Sequence, residues 1–247
     1  MRMKYFAIAL ALTAGLALGQ KVKSQKELDA VKAMLAAQTP DAKIAAVEDL
    51  ITKFKDTEFK SIALTQAAQA EQVKGDQIAG LNYANRALEA DKKNYQALLI
   101  VAQLSVQGTR EFDLDKDEKL GRATKAANDA IAALNTAPKP NPALPDDQWA
   151  SIKKDFIAQA HETLGIAATL QKKLDVAVTE FKMALDGAST PEPGTIVRLA
   201  SVYDDMGKFD DGAALLNKVA ASDAPASVKQ VAQNEKQRAE KMKAAKK

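Results

Sequence analysis

The apolar positions of this chain follow the 3.6-residue period of α-helices almost throughout. From residue 24 onward, apolar side chains recur three and four positions apart, and no window alternates with the two-residue period of a β-strand. The pattern predicts one helix after Ser24, whose spacing to Glu27 is that of a capping box, and a second helix after the break at Thr39-Pro40-Asp41. Further helices are predicted at 58–73, 77–90, 94–107, 118–134, 147–171, 174–186, 194–206, 209–221 and 226–243.

The first nineteen residues differ from the rest and predict a signal peptide. Arg2 and Lys4 precede an apolar stretch of fourteen residues, 5–18. The small residues at 17–19 suit cleavage by a signal peptidase, after which Gln20 would be the first residue of the mature protein. A retained membrane anchor is the alternative, but fourteen helical residues reach only about 21 Å of a ~30 Å hydrocarbon core. We expect export to the periplasm or the extracellular space of a bacterial envelope, with no stable membrane insertion once the signal is removed.

Composition and charge exclude several classes of function. The chain has no Cys and one His, which excludes disulfides, a thiol nucleophile and any two-His or Cys-type zinc site. Its 35 basic and 32 acidic residues give +3, which falls to about +1 without Arg2 and Lys4. Residues 222–247 hold seven basic and three acidic residues, so the excess positive charge lies in this tail. The body offers no basic face, and we expect no nucleic-acid partner.

An internal repeat is the strongest feature of the sequence. Similar turns begin at Gly75-Asp76, Lys173-Leu174 and Gly207-Lys208, and a small residue follows each of them. The small residues of the second helices, which are spaced by 34, 43, 54 and 35 positions, are Ala46, Gly80, Ala123, Ala177 and Gly212. Three of them have another small residue twelve positions earlier, at Ala68, Gly165 and Ala200.

These residues resemble the tetratricopeptide repeat (TPR) family, whose 34-residue unit needs small residues where its two antiparallel helices touch. The resemblance implies an all-α superhelical solenoid of four to five antiparallel helix pairs over residues 20–226. Insertions of 9 and 20 residues are expected near 107–117 and 138–156, where breaker residues independently predict loops. Residues 227–247 are expected to form a capping helix and a basic tail.

The resemblance also implies an exported interaction module that binds a peptide or protein on its concave face. In the family the first helix of each pair builds that face, and amides recur there in this sequence, where they can donate to and accept from a peptide backbone. The polar candidates for partner binding are Thr65, Gln69, Gln72, Gln96, Gln103, Gln159, Glu162, Thr169, Ser201 and Asp204. The apolar positions of the same register are Ile62, Leu99, Ile166 and Val197. Each of these residues has an alternative interpretation as part of a solvated groove.

The sequence contains no convincing catalytic or metal site. Residues 113–117 have the first acidic ligands of a calcium loop, but Glu118 stands where Gly is required and Thr124 where a bidentate Glu is required. His161 lies on a helix at a large-residue position, which favours a packed imidazole over a general base. We therefore expect a non-catalytic protein with no cofactor and no metal.

The basic tail offers a second function. Lys241 to Lys247 could contact anionic lipid, polysaccharide or an acidic protein, while the thin apolar stripe of 226–243 covers the open end of the solenoid. The sequence leaves the partner's identity and the oligomeric state open.

Overall fold

A computed structural model describes residues 20–245, which contain eleven α-helices and no strand. The helices are α1 (Gln25–Ala36), α2 (Pro40–Lys53), α3 (Lys60–Lys74), α4 (Gln77–Ala90), α5 (Tyr95–Gln107), α6 (Lys116–Thr136), α7 (Asp146–Leu170), α8 (Leu174–Gly187), α9 (Pro193–Asp205), α10 (Phe209–Ala221) and α11 (Ala226–Ala245). The all-α prediction is confirmed, and the nine segments predicted after residue 55 differ from the observed helices by at most two residues at either end. The predicted signal peptide, 1–19, lies outside the described residues. Within residues 20–245 no helix combines the length and the apolar character needed to cross a membrane.

Side-chain caps fix where several helices begin. The side-chain oxygens of Ser24, Thr39, Asp76 and Asn94 each accept a hydrogen bond from the backbone N–H three residues later, at 2.9–3.2 Å. Such caps satisfy backbone donors that have no partner in the first turn of a helix. The carboxylate of Glu27 completes the first cap by accepting from the N–H of Lys23 at 2.6 Å, one residue earlier than in the usual capping box.

Three turns between paired helices share one backbone conformation, which supports the repeat inferred from the sequence. Gly75, Lys172 and Gly207 all have left-handed φ angles, of 82°, 61° and 78°. In each turn the N–H of the next residue donates back to a carbonyl of the preceding helix, at 2.8–3.0 Å. Glycine adopts this conformation without steric cost, whereas Lys172 adopts it at a small cost.

The chain divides into two compact units, each with its own core. Unit 1 comprises the described residues 20–108 with 129–153, and unit 2 comprises 109–128 with 154–245. In unit 1, consecutive helices from α1 to α5 pack against one another, and α3 also contacts α5. Its core is built by Met34, Val47, Leu50, Phe59 and Leu64 with several alanines. In unit 2, α8 to α11 pack in chain order and α11 also contacts α9, with Phe181, Leu199, Val202, Leu216 and Val219 buried between them.

Small residues allow the paired helices to cross closely, as the repeat predicts. A Cβ atom on Gly80 would lie 3.1 Å from Leu104 Cδ1 and 3.5 Å from the carbonyl oxygen of Ala68. A Cβ on Gly165 would lie 2.7 Å from the ring of Phe181, which is closer than two carbon atoms approach without displacement. The α7–α8 crossing in unit 2 is therefore tighter than the α3–α4 crossing in unit 1.

Candidate functional site

In unit 1, half-buried amides lie along the first helices of neighbouring pairs. Gln66 Nε2 donates to Gln69 Oε1 on α3, and Gln72 Nε2 of α3 donates to Gln103 Oε1 of α5, both at 3.4 Å. We call Gln66, Gln69, Gln72 and Gln103 the amide row. Both distances exceed the common N–H···O distance of about 2.9–3.0 Å, so these bonds are weak and the amides can exchange them for better partners. Gln96, on the first turn of α5, is also half-buried.

Asn94 fixes the beginning of α5 against α3. Its Nδ2 donates to Ser61 Oγ at 2.8 Å and to Thr65 Oγ1 at 2.9 Å, while its Oδ1 caps α5 by accepting from Ala97 N at 3.0 Å. Thr65 Oγ1 in turn donates to the carbonyl oxygen of Ser61 at 2.9 Å. Thr65, a predicted partner-binding residue, is 1% exposed, so its hydroxyl is engaged inside the protein rather than presented to a partner.

In unit 2 a carboxylate takes the corresponding place between first helices. Glu162 Oε1 of α7 accepts from Thr195 Oγ1 and Arg198 Nη1 of α9, both at 2.8 Å. Gln159 and Thr169 flank it on α7, both half-buried, and the hydroxyl of Thr169 donates to the carbonyl oxygen of Gly165 at 2.8 Å. Glu162 therefore joins two helices of its own unit.

A charged cluster joins α9 to α11. The guanidinium of Arg238 bonds to Asp205 and, at 2.6 Å, to Glu235, and it lies 3.5 Å from Ser201 Oγ. Beside it Asp204 is fully buried, and no N–H or O–H group among residues 20–245 donates to either of its carboxylate oxygens. Burial, reinforced by the negative charge of Glu235, raises the pKa of Asp204 to about 6.

The ten predicted residues thus fall into three groups. Gln69, Gln72, Gln96 and Gln103 are half-buried together on α3 and α5 of unit 1. The half-buried residues of unit 2 are Gln159, Glu162, Thr169 and Ser201. Thr65 and Asp204 are buried.

Sequence reasoning missed most of the residues that connect the repeats, and of those named below only Glu162 was a predicted candidate. Asn94 bonds to Ser61, Thr195 to Glu162, Arg238 to Asp205 and Lys243 to Asp210, and each of these four pairs is separated by 33 positions. This separation is close to the 34-residue period of the repeat. A search for complementary polar residues one period apart is therefore the signal that would have found them.

The residues that suggest other chemistry have structural partners. His161 Nδ1 lies 2.7 Å from Glu180 Oε2, a contact that joins α7 to α8. In the acidic loop, Lys119 Nζ lies 3.0 Å from Asp113 and 2.9 Å from Asp115, so an ammonium group lies where a calcium ion would bind. Within the described residues no group of three His, Cys, Asp or Glu side chains could hold a metal ion.

Comparison with known proteins defines the fold. No family model matches this chain, and no curated protein matches it. Among solved structures, it is similar to TTC0263, a thermophilic TPR protein of Thermus thermophilus, with a TM-score of 0.53, 17% identity, and coverage of 82% of this chain and 90% of that chain. It is also similar to MamA, with a TM-score of 0.50, 13% identity, and coverage of 82% and 91%. At these identities the likeness concerns the fold alone, and it confirms that the chain has the TPR-like arrangement of helix pairs.

Proposed function

We propose that this chain is an exported, non-catalytic scaffold that binds an extended segment of a partner protein along the amide row of unit 1. The TPR-like fold supports a role in protein–protein interaction. The observation that carries the proposal is the pair of 3.4 Å amide contacts, within α3 and between α3 and α5. These side chains are half-buried, and the hydrogen bonds that they make to one another are long and weak.

The chemistry of the amide row favours a peptide backbone as its ligand. Each amide offers both a donor and an acceptor, as each peptide unit does, and it carries no charge that would select a charged side chain. An extended segment leaves its own N–H and C=O groups unpaired, so it gains bonds wherever it meets an amide. Since each bond contributes only about 0.5–1.5 kcal/mol net, several amides are needed for useful affinity.

A peptide-display selection tests this proposal. Peptides selected on the wild-type protein are titrated by calorimetry against the triple variant Gln69→Ala, Gln72→Ala and Gln103→Ala. We expect binding to weaken by at least tenfold, because about three modest bonds are lost. The matched control removes three exposed amides of α4, with Gln77→Ala, Asn82→Ala and Asn85→Ala, and should bind within twofold of the wild type. Equal affinity of the triple variant and the wild type would refute binding on the amide row.

Export is the second part of the proposal, and the sequence supports it. The basic residues Arg2 and Lys4, the apolar stretch 5–18 and the small residues at 17–19 have the order of a signal peptide. The intact mass of the protein isolated from its native host should show the loss of about nineteen residues. A full-length product in the cytoplasm would refute export and leave the interaction role untouched.

Three cations of α11 have partners within unit 2, which weakens the alternative of surface binding through the basic tail, although Lys246 and Lys247 lie outside the described residues. Arg238 bonds to Asp205 and Glu235, Lys243 Nζ lies 2.9 Å from Asp210, and Lys236 Nζ donates to the side chain of Asn217 at 3.2 Å. We therefore base the proposed function on the amide row.

A further inference from the structure

The last helix of unit 2 is attached with little buried apolar surface. α11 packs against α10 and α9, and its buried side chains are those of Ala232 and Ala239, with Val228 half-buried nearby. Burying an alanine methyl group contributes much less free energy than burying the side chain of Leu, Phe or Met. The attachment of α11 therefore depends strongly on its polar contacts.

Three carboxyl groups and one guanidinium make up the charged contact between α9 and α11. Asp204 and Asp205 lie on α9, and Glu235 and Arg238 lie on α11. The guanidinium bonds to Asp205 and Glu235, whereas no N–H or O–H group among residues 20–245 donates to Asp204. When all three carboxyl groups are ionised, three negative charges face one positive charge, and the charge on Asp204 is the one that receives no hydrogen bond.

The carboxyl group of Asp204 is enclosed by the packed helices. Its side chain has no exposed surface, and a Cβ atom added to Gly212 of α10 would overlap Asp204 Oδ1. The carboxyl group thus lies directly against the backbone of α10, in space that any larger residue at position 212 would fill. A buried carboxylate without a donor is unfavourable, and either the binding of a proton or an opening of the surrounding helices relieves it.

Glu235 is the group with which Asp204 can share a proton. The two carboxyl groups lie within hydrogen-bonding reach across the α9–α11 contact, and the side chain of Glu235 is only 14% exposed. Two carboxyl groups bond to each other only while a proton lies between them, and two carboxylates at this range repel each other. Burial raises the pKa of Asp204 to about 6, reinforced by Glu235 and Asp205 and partly opposed by Arg238, so the proton leaves as the pH approaches neutrality.

The other charged groups around this contact have partners of their own. Asp210, in the first turn of α10, pairs with Lys243 of α11 at 2.9 Å. Lys182 of α8 and Lys208, in the turn after α9, each place their ammonium group 5.9 Å from the centre of the Tyr203 ring. Neither of these two ammonium groups donates to the buried carboxyl group of α9. Its protonation is therefore controlled mainly by the cluster that joins α9 to α11.

We propose that Asp204 and Glu235 form a proton-operated latch, in which a shared proton holds α11 against α9 and α10, and loss of that proton lets α11 open while α8, α9 and α10 stay packed. The opening uncovers Leu216 and Val219 of α10, which belong to one apolar cluster with Ala232 of α11. The latch is separate from the amide row and does not depend on the function proposed for it.

Hydrogen exchange of the full chain, read by mass spectrometry at pH 5 and pH 7.5, tests the latch. After correction for the intrinsic effect of pH on amide exchange, the protection of residues 226–245 should fall about tenfold, the change given by a pKa of about 6 in the closed state and 3.8 in the open state. Exchange in α11 should also respond less to low urea concentrations than exchange in α9, because opening one helix exposes less surface than unfolding unit 2. Equal protection and equal urea dependence in α9 and α11 would overturn the proposal, and so would protection of α11 that does not change with pH.

Three variants separate the latch from a general weakening of α11. Asp204→Asn keeps the shape of the side chain but cannot ionise, so the protection of α11 should differ by less than twofold between the two pH values. Glu235→Gln supplies an amide that can donate to the ionised Asp204, and it should also reduce the pH effect. The matched control Asp210→Asn removes the ion pair with Lys243, so it should lower the protection equally at both pH values and keep the tenfold ratio. A full tenfold effect in Asp204→Asn or Glu235→Gln, or its loss in Asp210→Asn, would overturn the proposal.

Discussion

The two units connect the first helices of neighbouring pairs with different chemistry. In unit 1 neutral groups join α3 to α5: the amide of Asn94 bonds to two hydroxyls, and amides meet amides in the amide row. In unit 2 charged groups join the helices: Glu162 with Arg198 between α7 and α9, and Asp205 with Arg238 between α9 and α11. One pattern of helix pairing thus tolerates either kind of connection.

This difference has consequences for stability and for binding. Neutral hydrogen bonds depend little on salt or pH, whereas exposed ion pairs are screened by salt and a buried carboxylate responds to pH. The α3–α5 face of unit 1 should therefore depend little on salt or pH, which suits a face that binds a peptide backbone. Unit 2 should change its stability with pH and salt. Four experiments compare the two units, and hydrogen exchange read by mass spectrometry follows each unit separately.

The largest effect is expected for Asn94→Ala in unit 1. The substitution removes the cap of α5, which contributes about 1 kcal/mol, and two hydrogen bonds worth about 0.5–1.5 kcal/mol each. The free energy of unfolding of unit 1 should fall by about 2–3 kcal/mol, equally in 0.1 and 1 M NaCl. Asn94→Asp keeps the capping oxygen and loses the donors, so about half the loss should remain. A loss that disappears in high salt would show that unit 1 does not depend on neutral bonds.

A pair of glycine substitutions compares the helix crossings. Gly165→Ala places a Cβ 2.7 Å from the buried ring of Phe181, and the overpacking should cost unit 2 about 2 kcal/mol. Gly80→Ala places its Cβ 3.5 Å from the carbonyl oxygen of Ala68 across the α3–α4 crossing and 3.1 Å from the flexible end of Leu104 on α5, and the gain in helix propensity of about 1 kcal/mol offsets these contacts. In urea denaturation, Gly165→Ala should therefore show a clear loss of stability and Gly80→Ala almost none. Equal losses would contradict the difference in tightness between the two crossings.

The sequence predicted the structure best where the backbone geometry permits only a few residue types. The small residues Gly80, Gly165 and Gly212 stand where helices cross, and turn residues such as Gly75 mark the ends of helices, so the helices and their pairing could be predicted. Which side chains of a half-buried face bond to each other depends on rotamers and on helix register, which no single-residue pattern contains. Thr65 and Asp204 therefore entered the candidate site although both are buried. Asn94 was missed although it lies one period after Ser61.

The third experiment concerns the buried carboxylate of unit 2. The pKa of Asp204 is about 6 in the folded protein and 3.8 in its ordinary state, because burial and then the Glu235 charge disfavour ionisation, while Arg238 partly opposes them. The folded state thus binds the proton of Asp204 more tightly than the unfolded state does. The free energy of unfolding of unit 2 therefore falls as pH rises from about 4 to about 6. Asp204→Asn removes this dependence and should stabilise unit 2 by about 1–2 kcal/mol at pH 7, with little effect at pH 4. Unit 1 should not respond, and a variant less stable than the wild type at pH 7 would contradict this account.

The smallest effect is expected for the ion pair between α7 and α9. Arg198→Ala removes a contact at 2.8 Å to Glu162, but the arginine side chain is 43% exposed, and pairs of this kind contribute about 0.2–1 kcal/mol. Glu162 keeps its hydrogen bond from Thr195, so no charge is left without a partner in the protein. We expect unit 2 to lose about 0.5 kcal/mol in 25 mM NaCl and almost nothing in 0.5 M NaCl, where charges are screened within a few ångströms. A double-mutant cycle with Glu162→Gln isolates the pair, since its coupling energy should vanish with salt whereas the contribution of Asn94 in unit 1 should not. A coupling energy that survives high salt would mean that the repeats within each unit are connected by equally robust contacts, and the contrast between the units would rest on Asp204 alone.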